Sequence, residues 1–226
     1  MMELVIGGSG SGKSRYAEGL AAAGPSPRVY VATMIPWDGE GRERVKKHRA
    51  MRQGRGFFTA EHYGSLDELE IEPFKNLPEG GGAAAGPGAF GGTILLECVS
   101  NLTANEFYSR RHERERLRFS AALEKNPGGD SPADGNDEER MAAARWCKDL
   151  AAGISGEVLR LHKCCGLLVA VTGNVFDDGE SYGGETMLYL DILARVNRYL
   201  AAEAGRVTEV VCGIPVTLEN GRQEES

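Results

Sequence analysis

Apolar residues fall along this chain in short unbroken runs, set between glycine-rich turns and stretches of helical character. Met2 to Ile6 is such a run and ends on glycines; Ser14 to Ala23 follows with helix formers, so the chain opens as strand, Gly-rich turn, helix. After the Gly24-Pro-Ser-Pro27 break, Arg28-Val-Tyr-Val-Ala-Thr33 predicts a second strand, and beyond the Pro36-Trp-Asp-Gly39 turn the charged stretch Glu40 to Arg52 predicts a helix. Ser65 to Leu69 predicts another short helix. Thr93-Ile-Leu-Leu-Glu-Cys98 predicts a third strand, apolar enough for burial on both faces, with an acidic residue near its end. A helix over Asn105 to Ser120, a fourth strand over Gly166 to Thr172, an amphipathic helix over Gly184 to Glu203 and a last strand over Thr208 to Pro215 complete the series. Alternating strands and helices of this kind predict an α/β fold built on a mostly parallel, doubly wound sheet.

Two segments break the pattern. Residues 79–92 and 125–138 are rich in Gly, Ala, Pro, Asp and Asn, a composition that cannot build a core, and are expected to be surface loops. Strands are predicted on both sides of each, so neither marks a boundary, and residues 1–226 read as one domain. A chain of 226 residues, 41% hydrophobic and 26% charged, can bury a sizeable single core.

Charge narrows the partners. A formal net charge of −7 offers no general attraction to polynucleotide phosphates, so a nucleic-acid partner is not expected. The five cysteines (Cys98, Cys147, Cys164, Cys165 and Cys212) lack C-x-x-C spacing and read as reduced thiols of a cytoplasmic protein. No segment approaches the ~20 apolar residues of a membrane span, and the first twenty residues hold no signal-like apolar stretch.

The turn after the first strand carries the chemistry. Gly7, Gly8, Ser9, Gly10, Ser11, Gly12, Lys13 and Ser14 match G-x-x-x-x-G-K-[ST], placed between a predicted strand and a predicted helix as a phosphate-cradling loop requires. Glycines let backbone N–H groups turn inward around phosphates, the helix N-terminus adds its positive dipole end, and Lys13 adds a point charge. The Ser14 hydroxyl is suited to Mg²⁺. Such a site also needs an acidic group near the metal, usually at a strand's carboxyl end. Glu97 is the best placed, with Asp38, Asp177 and Asp178 as rivals.

Four segments then fall in one order: Leu4 to Glu18, Val29-Tyr-Val-Ala-Thr33, Arg44-Val-Lys-Lys-His48-Arg, and Ile94-Leu-Leu-Glu-Cys98. With Val171 to Gly179, Leu193 to Ala204 and Glu209 to Pro215, this order resembles the bifunctional adenosylcobinamide kinase / adenosylcobinamide-phosphate guanylyltransferase family of cobalamin assembly over nearly the whole chain. The resemblance implies a P-loop NTPase fold of RecA-like type, ATP and GTP as substrates with Mg²⁺, and adenosylcobinamide and its phosphate as acceptors. It also implies a homotrimer with active sites near subunit boundaries. By the same resemblance His48 becomes the guanylylated histidine and Glu97 lies by the bound guanine nucleotide. The neighbouring Lys46, Lys47 and Arg49 suit that role, because cations keep an imidazole neutral and stabilise charge developing on phosphates. His62, His112 and His162 have no such placement. Where many members carry an Asn-Glu pair after the fourth strand, this chain has Gly173-Asn174, so a carboxylate is absent there and the kinase step is the one it puts in question. The competing reading is a P-loop kinase of another small molecule, in which His48 is a surface residue and no covalent nucleotide forms. A nucleotide-dependent switch protein ranks last, since a guanine-reading N-K-x-D tetrapeptide is missing.

Overall fold

The computed structural model describes residues 1–36, 39, 43, 46, 54, 56–69, 90–124, 137–174 and 182–218. Its frame is a seven-stranded sheet in the order β3-β2-β4-β5-β1-β6-β7. The strands are β1 (Met2–Gly7), β2 (Arg28–Ala32), β3 (Phe57–Glu61), β4 (Phe90–Glu97), β5 (Cys165–Gly173), β6 (Arg206–Val211) and β7 (Ile214–Leu218). Every pairing is parallel except the β6–β7 hairpin at one edge. The α/β character and the mostly parallel sheet are thus as the sequence predicts.

The middle strands read as continuous apolar runs because both of their faces are covered. On one face α1 (Lys13–Ala23) packs Ala17 and Ala21 against Val5, Leu95, Val169, Val171 and Val210. On the other, α2 (Val99–Phe107), α4 (Asp137–Cys164) and α5 (Gly184–Glu203) cover Leu4, Val31, Ile94, Leu96, Leu168 and Ala170. The short α3 (Glu113–Glu124) lies against α5, where a Cβ on Gly184 would come within 2.4 Å of the Ser120 carbonyl oxygen. Each fully buried Leu or Ile here contributes ~1.5–3 kcal/mol of transfer free energy.

Several expectations need correction. β3 is a strand the sequence reading passes over: Phe57-Phe58-Thr59-Ala60-Glu61 is a half-exposed edge, too short and mixed to stand out as a core run. β4 starts at Phe90 rather than Thr93, so the loop expected at 79–92 gives up its last three residues to the sheet; 79–89 lie outside the described residues. The expected loop at 125–138 gives way to α4 at Asp137, and 125–136 likewise lie outside. The helix expected over Asn105 to Ser120 is two helices, broken over residues 108–112. The segment Ser65 to Leu69 is a single 3-10 turn, Leu66–Glu68. The last strand expected over Thr208 to Pro215 is two, folded back at Cys212 and Gly213. Both residues have positive φ, 51° and 81°, as a two-residue hairpin turn of type I′ demands, and a cysteine in place of the usual Asn hid the signal. Of the helix expected over Glu40 to Arg52, the described positions Glu43 and Lys46 are helical, as is Gly39 before them.

Candidate functional site

The carboxyl ends of the strands gather the polar groups, the edge at which open α/β sheets bind ligands. β1 stops at Gly7 and the chain folds over its own end into α1. Two features fix this turn: Gly10 and Gly12 take φ of 71° and 93°, and a Cβ on Gly7 would lie 2.5 Å from Ser11 Oγ and 2.8 Å from the Val210 carbonyl oxygen. From the other side the β6–β7 turn holds the loop, with the Gly213 N–H donating to the Ser11 carbonyl at 2.7 Å. No side chain caps α1, so its first-turn N–H groups face the mouth of the loop with the positive end of the helix dipole behind them. Lys13 curls over the same mouth, its Nζ donating to the Gly8 carbonyl at 3.1 Å.

Glu97 ends β4, in register with Ala32 of β2 and Val171 of β5, and is buried. It lies 83 residues from Ser14 in sequence, yet the Ser14 hydroxyl donates to Glu97 Oε1 at 2.5 Å. A short bond from a hydroxyl to a carboxylate is strong and directional. Both partners are hard oxygen ligands of the kind Mg²⁺ prefers alongside phosphate oxygens and water.

Around this pair the strand ends are locked by side chains the sequence reading assigned no role. Thr33 Oγ1 donates to the Cys98 carbonyl at 2.8 Å and accepts from the Cys98 N–H at 2.7 Å, while its own N–H reaches the Glu97 carbonyl at 3.0 Å. Asn105 of α2 then donates to the carbonyls of Thr33 and Tyr63 at 2.8 and 2.9 Å. Burial, reinforced by the Glu97 carboxylate, pushes the Cys98 thiol up and keeps it neutral. At the end of β5, Asn197 joins the Thr172 hydroxyl (2.7 Å) to the Gly173 carbonyl (3.1 Å), and the Gly173 N–H donates to Ser100 Oγ at 2.6 Å. Asn174 follows, its N–H on the Gly7 carbonyl at 3.1 Å and its side-chain amide on Glu209 Oε1 at 3.2 Å. Thr33 and Asn197 stand inside segments that carry the resemblance, but their bonds reach elements distant in sequence and leave no local signal.

Gly7 through Ser14 and Glu97 are therefore brought together. His48 lies outside the described residues, as do Lys47, Arg49, Asp38, Asp177 and Asp178. Lys46 is exposed and pairs with Glu43 at 2.7 Å. Among the other histidines, His62 Nε2 meets the Ser65 carbonyl at 2.6 Å, and His112 sits edge-on to Trp146. Partial burial lowers the affinity of His112 and His162 for a proton. All five cysteines are free thiols. Among the described residues no helix is long and apolar enough to cross a membrane, and no cluster of three or more His, Cys, Asp or Glu forms a metal centre.

Comparison with known proteins bears on the whole chain. The sequence model of the cobinamide kinase / cobinamide phosphate guanyltransferase family matches residues 3–218. The chain is 33% identical to the bifunctional adenosylcobalamin biosynthesis protein CobU of Escherichia coli (strain K12), over 97% of this chain and 100% of that protein. It is 31% identical to the protein of the same name from Salmonella typhimurium, again over 97% and 100%. A shorter match, 41% identical over 68 residues, links it to the bifunctional adenosylcobalamin biosynthesis protein CobP of Pseudomonas aeruginosa, covering 30% of this chain and 35% of that one.

Proposed function

The chain belongs to the cobinamide kinase / cobinamide phosphate guanyltransferase family, and from that premise we propose a two-step transferase that uses one phosphate-binding loop. It phosphorylates the hydroxyl of adenosylcobinamide with ATP or GTP, then transfers GMP from GTP to that phosphate, giving adenosylcobinamide-GDP. The observation that carries the reading is the Ser14–Glu97 bond at the mouth of the Gly7 to Ser14 loop.

Each residue has a task in this reading. The loop N–H groups and the uncapped start of α1 bind the triphosphate, and Lys13 exchanges the Gly8 carbonyl for phosphate oxygens. Ser14 and Glu97 hold Mg²⁺, which when bound neutralises charge across the phosphates. In the second step the neutral imidazole of His48 attacks the α-phosphorus of GTP: an N–P bond forms, the bond to the bridging oxygen breaks, and pyrophosphate leaves. An oxygen of adenosylcobinamide phosphate then attacks the same phosphorus, breaks the N–P bond and frees His48. The loop also leads us to class the fold with P-loop NTPases of RecA-like type; a homotrimer follows from the resemblance described above, and a cytoplasmic location from the five free thiols.

Incubation with adenosylcobinamide, Mg²⁺ and ATP, then GTP, followed by mass spectrometry of the corrinoid, tests the pair of activities. Phosphate and then GMP should add in succession. A corrinoid unchanged by either nucleotide, beside phosphorylation of a different small alcohol, would favour the plain kinase.

A further inference from the structure

Glu209 has no part in the mechanism above. It is the one acidic residue of β6, in an otherwise largely apolar strand, half-buried and in register beside Ile6 of β1. Strand alternation puts it on the face of Val207, which α5 covers, opposite Val210 and α1. Its Oε1 accepts from the Asn174 side-chain amide at 3.2 Å, and Asn174 donates its backbone N–H to Gly7 at 3.1 Å, the last residue before the phosphate loop. Two carboxylates therefore flank the loop from opposite faces: Glu97, bonded to Ser14 of α1, and Glu209, bonded to Asn174. A negative charge beside an anion-binding loop opposes the binding of phosphates. Its place at the carboxyl ends of the strands, joined through Asn174 to Gly7, points to a chemical use.

The structure assigns Glu209 to the kinase step of the proposed function, on which this inference rests, as the base that takes the proton of the acceptor hydroxyl. In that step the hydroxyl oxygen bonds to the γ-phosphorus, the bond from that phosphorus to the β–γ bridging oxygen breaks, and the nucleoside diphosphate departs. The hydroxyl proton passes to the Glu209 carboxylate and from there to water. Asn174 fixes the carboxylate but, as an amide, cannot accept the proton itself. With the base on β6 the step needs no carboxylate at residue 174, so the Gly173-Asn174 sequence is compatible with kinase activity.

The test compares both half-reactions in the full-length protein. Glu209→Gln should lower kcat for corrinoid phosphorylation ~100-fold or more, as loss of a general base does. KM for nucleotide and corrinoid should stay within about threefold, and labelling by alpha-labelled GTP should be unchanged. Exchanging the two groups across their hydrogen bond, Asn174→Glu with Glu209→Gln, should recover ~tenfold or more of the lost rate. The assignment is overturned if Glu209→Gln phosphorylates within about threefold of wild type. It is equally overturned if phosphorylation and labelling fall together without recovery in the exchange variant, since Glu209 is then a structural support. Should the single variant not fold, the exchange variant decides alone: phosphorylation at about a tenth of the wild-type rate or more supports the assignment, and a lower rate overturns it. A wild-type protein without either activity overturns the proposed function and this assignment with it.

Discussion

The Ser14 hydroxyl and the Glu97 carboxylate meet at 2.5 Å across 83 residues of sequence, and the proposed metal site rests on that contact. Removing the carboxylate that supports the metal costs ~10–100-fold in metal affinity or activity, so Glu97→Gln should lower kcat/KM of both half-reactions to that extent and raise the Mg²⁺ concentration each needs, measured by Mg²⁺ titration of the rates. A retained Mg²⁺ dependence would place the metal elsewhere. Both residues were legible in the sequence for local reasons: one closes a G-x-x-x-x-G-K-S run, the other ends an apolar strand. Thr33 was not legible in the same way, because its two bonds reach Cys98, 65 positions away. Cys212 is a residue-scale test of the fold. At φ 51° it occupies left-handed backbone, which costs an ordinary residue ~1–2 kcal/mol. Cys212→Asn should therefore stabilise the protein by ~0.5–1 kcal/mol in urea unfolding, since Asn tolerates the first position of a type I′ turn.

At the scale of elements, the Asn197 side chain ties α5 to the sheet at the level of the site. Asn197 accepts from the Thr172 hydroxyl and donates to the Gly173 carbonyl, all buried. Asn197→Ala would leave those groups without a partner, and a destabilisation of ~2–3 kcal/mol should appear in urea unfolding, since each stranded buried group costs ~1–3 kcal/mol. α5 itself was legible to the residue, Gly184–Glu203, because an amphipathic period of twenty residues is a long signal. Four central or near-central strands were legible to within a few residues, for they are apolar on both faces. β3 and the β6–β7 turn were not: an edge strand alternates weakly, and a turn whose first central residue is Cys carries half of the usual Asn-Gly mark. The 28-residue α4 went unread because its apolar positions must cover both β5 and α5, which blurs the helical period.

Across the whole molecule, buried neutral acids set a limit at high pH. Burial pushes the thiols of Cys147 and Cys165 from an ordinary 9.0 to about 12. Between those values the unfolded chain has lost these protons while the native protein keeps them. This stability is fully present below pH ~9 and is lost as pH rises towards ~12. Urea midpoints should fall across that window, and Cys147→Ser should flatten the fall; a midpoint constant to pH ~11 would contradict the burial of these thiols. The family belongs to this scale as well, since the match runs from residue 3 to residue 218. The guanylyl-histidine at the centre of the proposed function is tested most directly without any corrinoid. The protein and its His48→Ala variant are incubated with Mg²⁺ and alpha-labelled GTP, denatured, and divided between acid and base. An acid-labile, base-stable label is expected on the wild type and none on the variant; a folded wild-type protein that takes up no label would contradict the guanylyl-histidine.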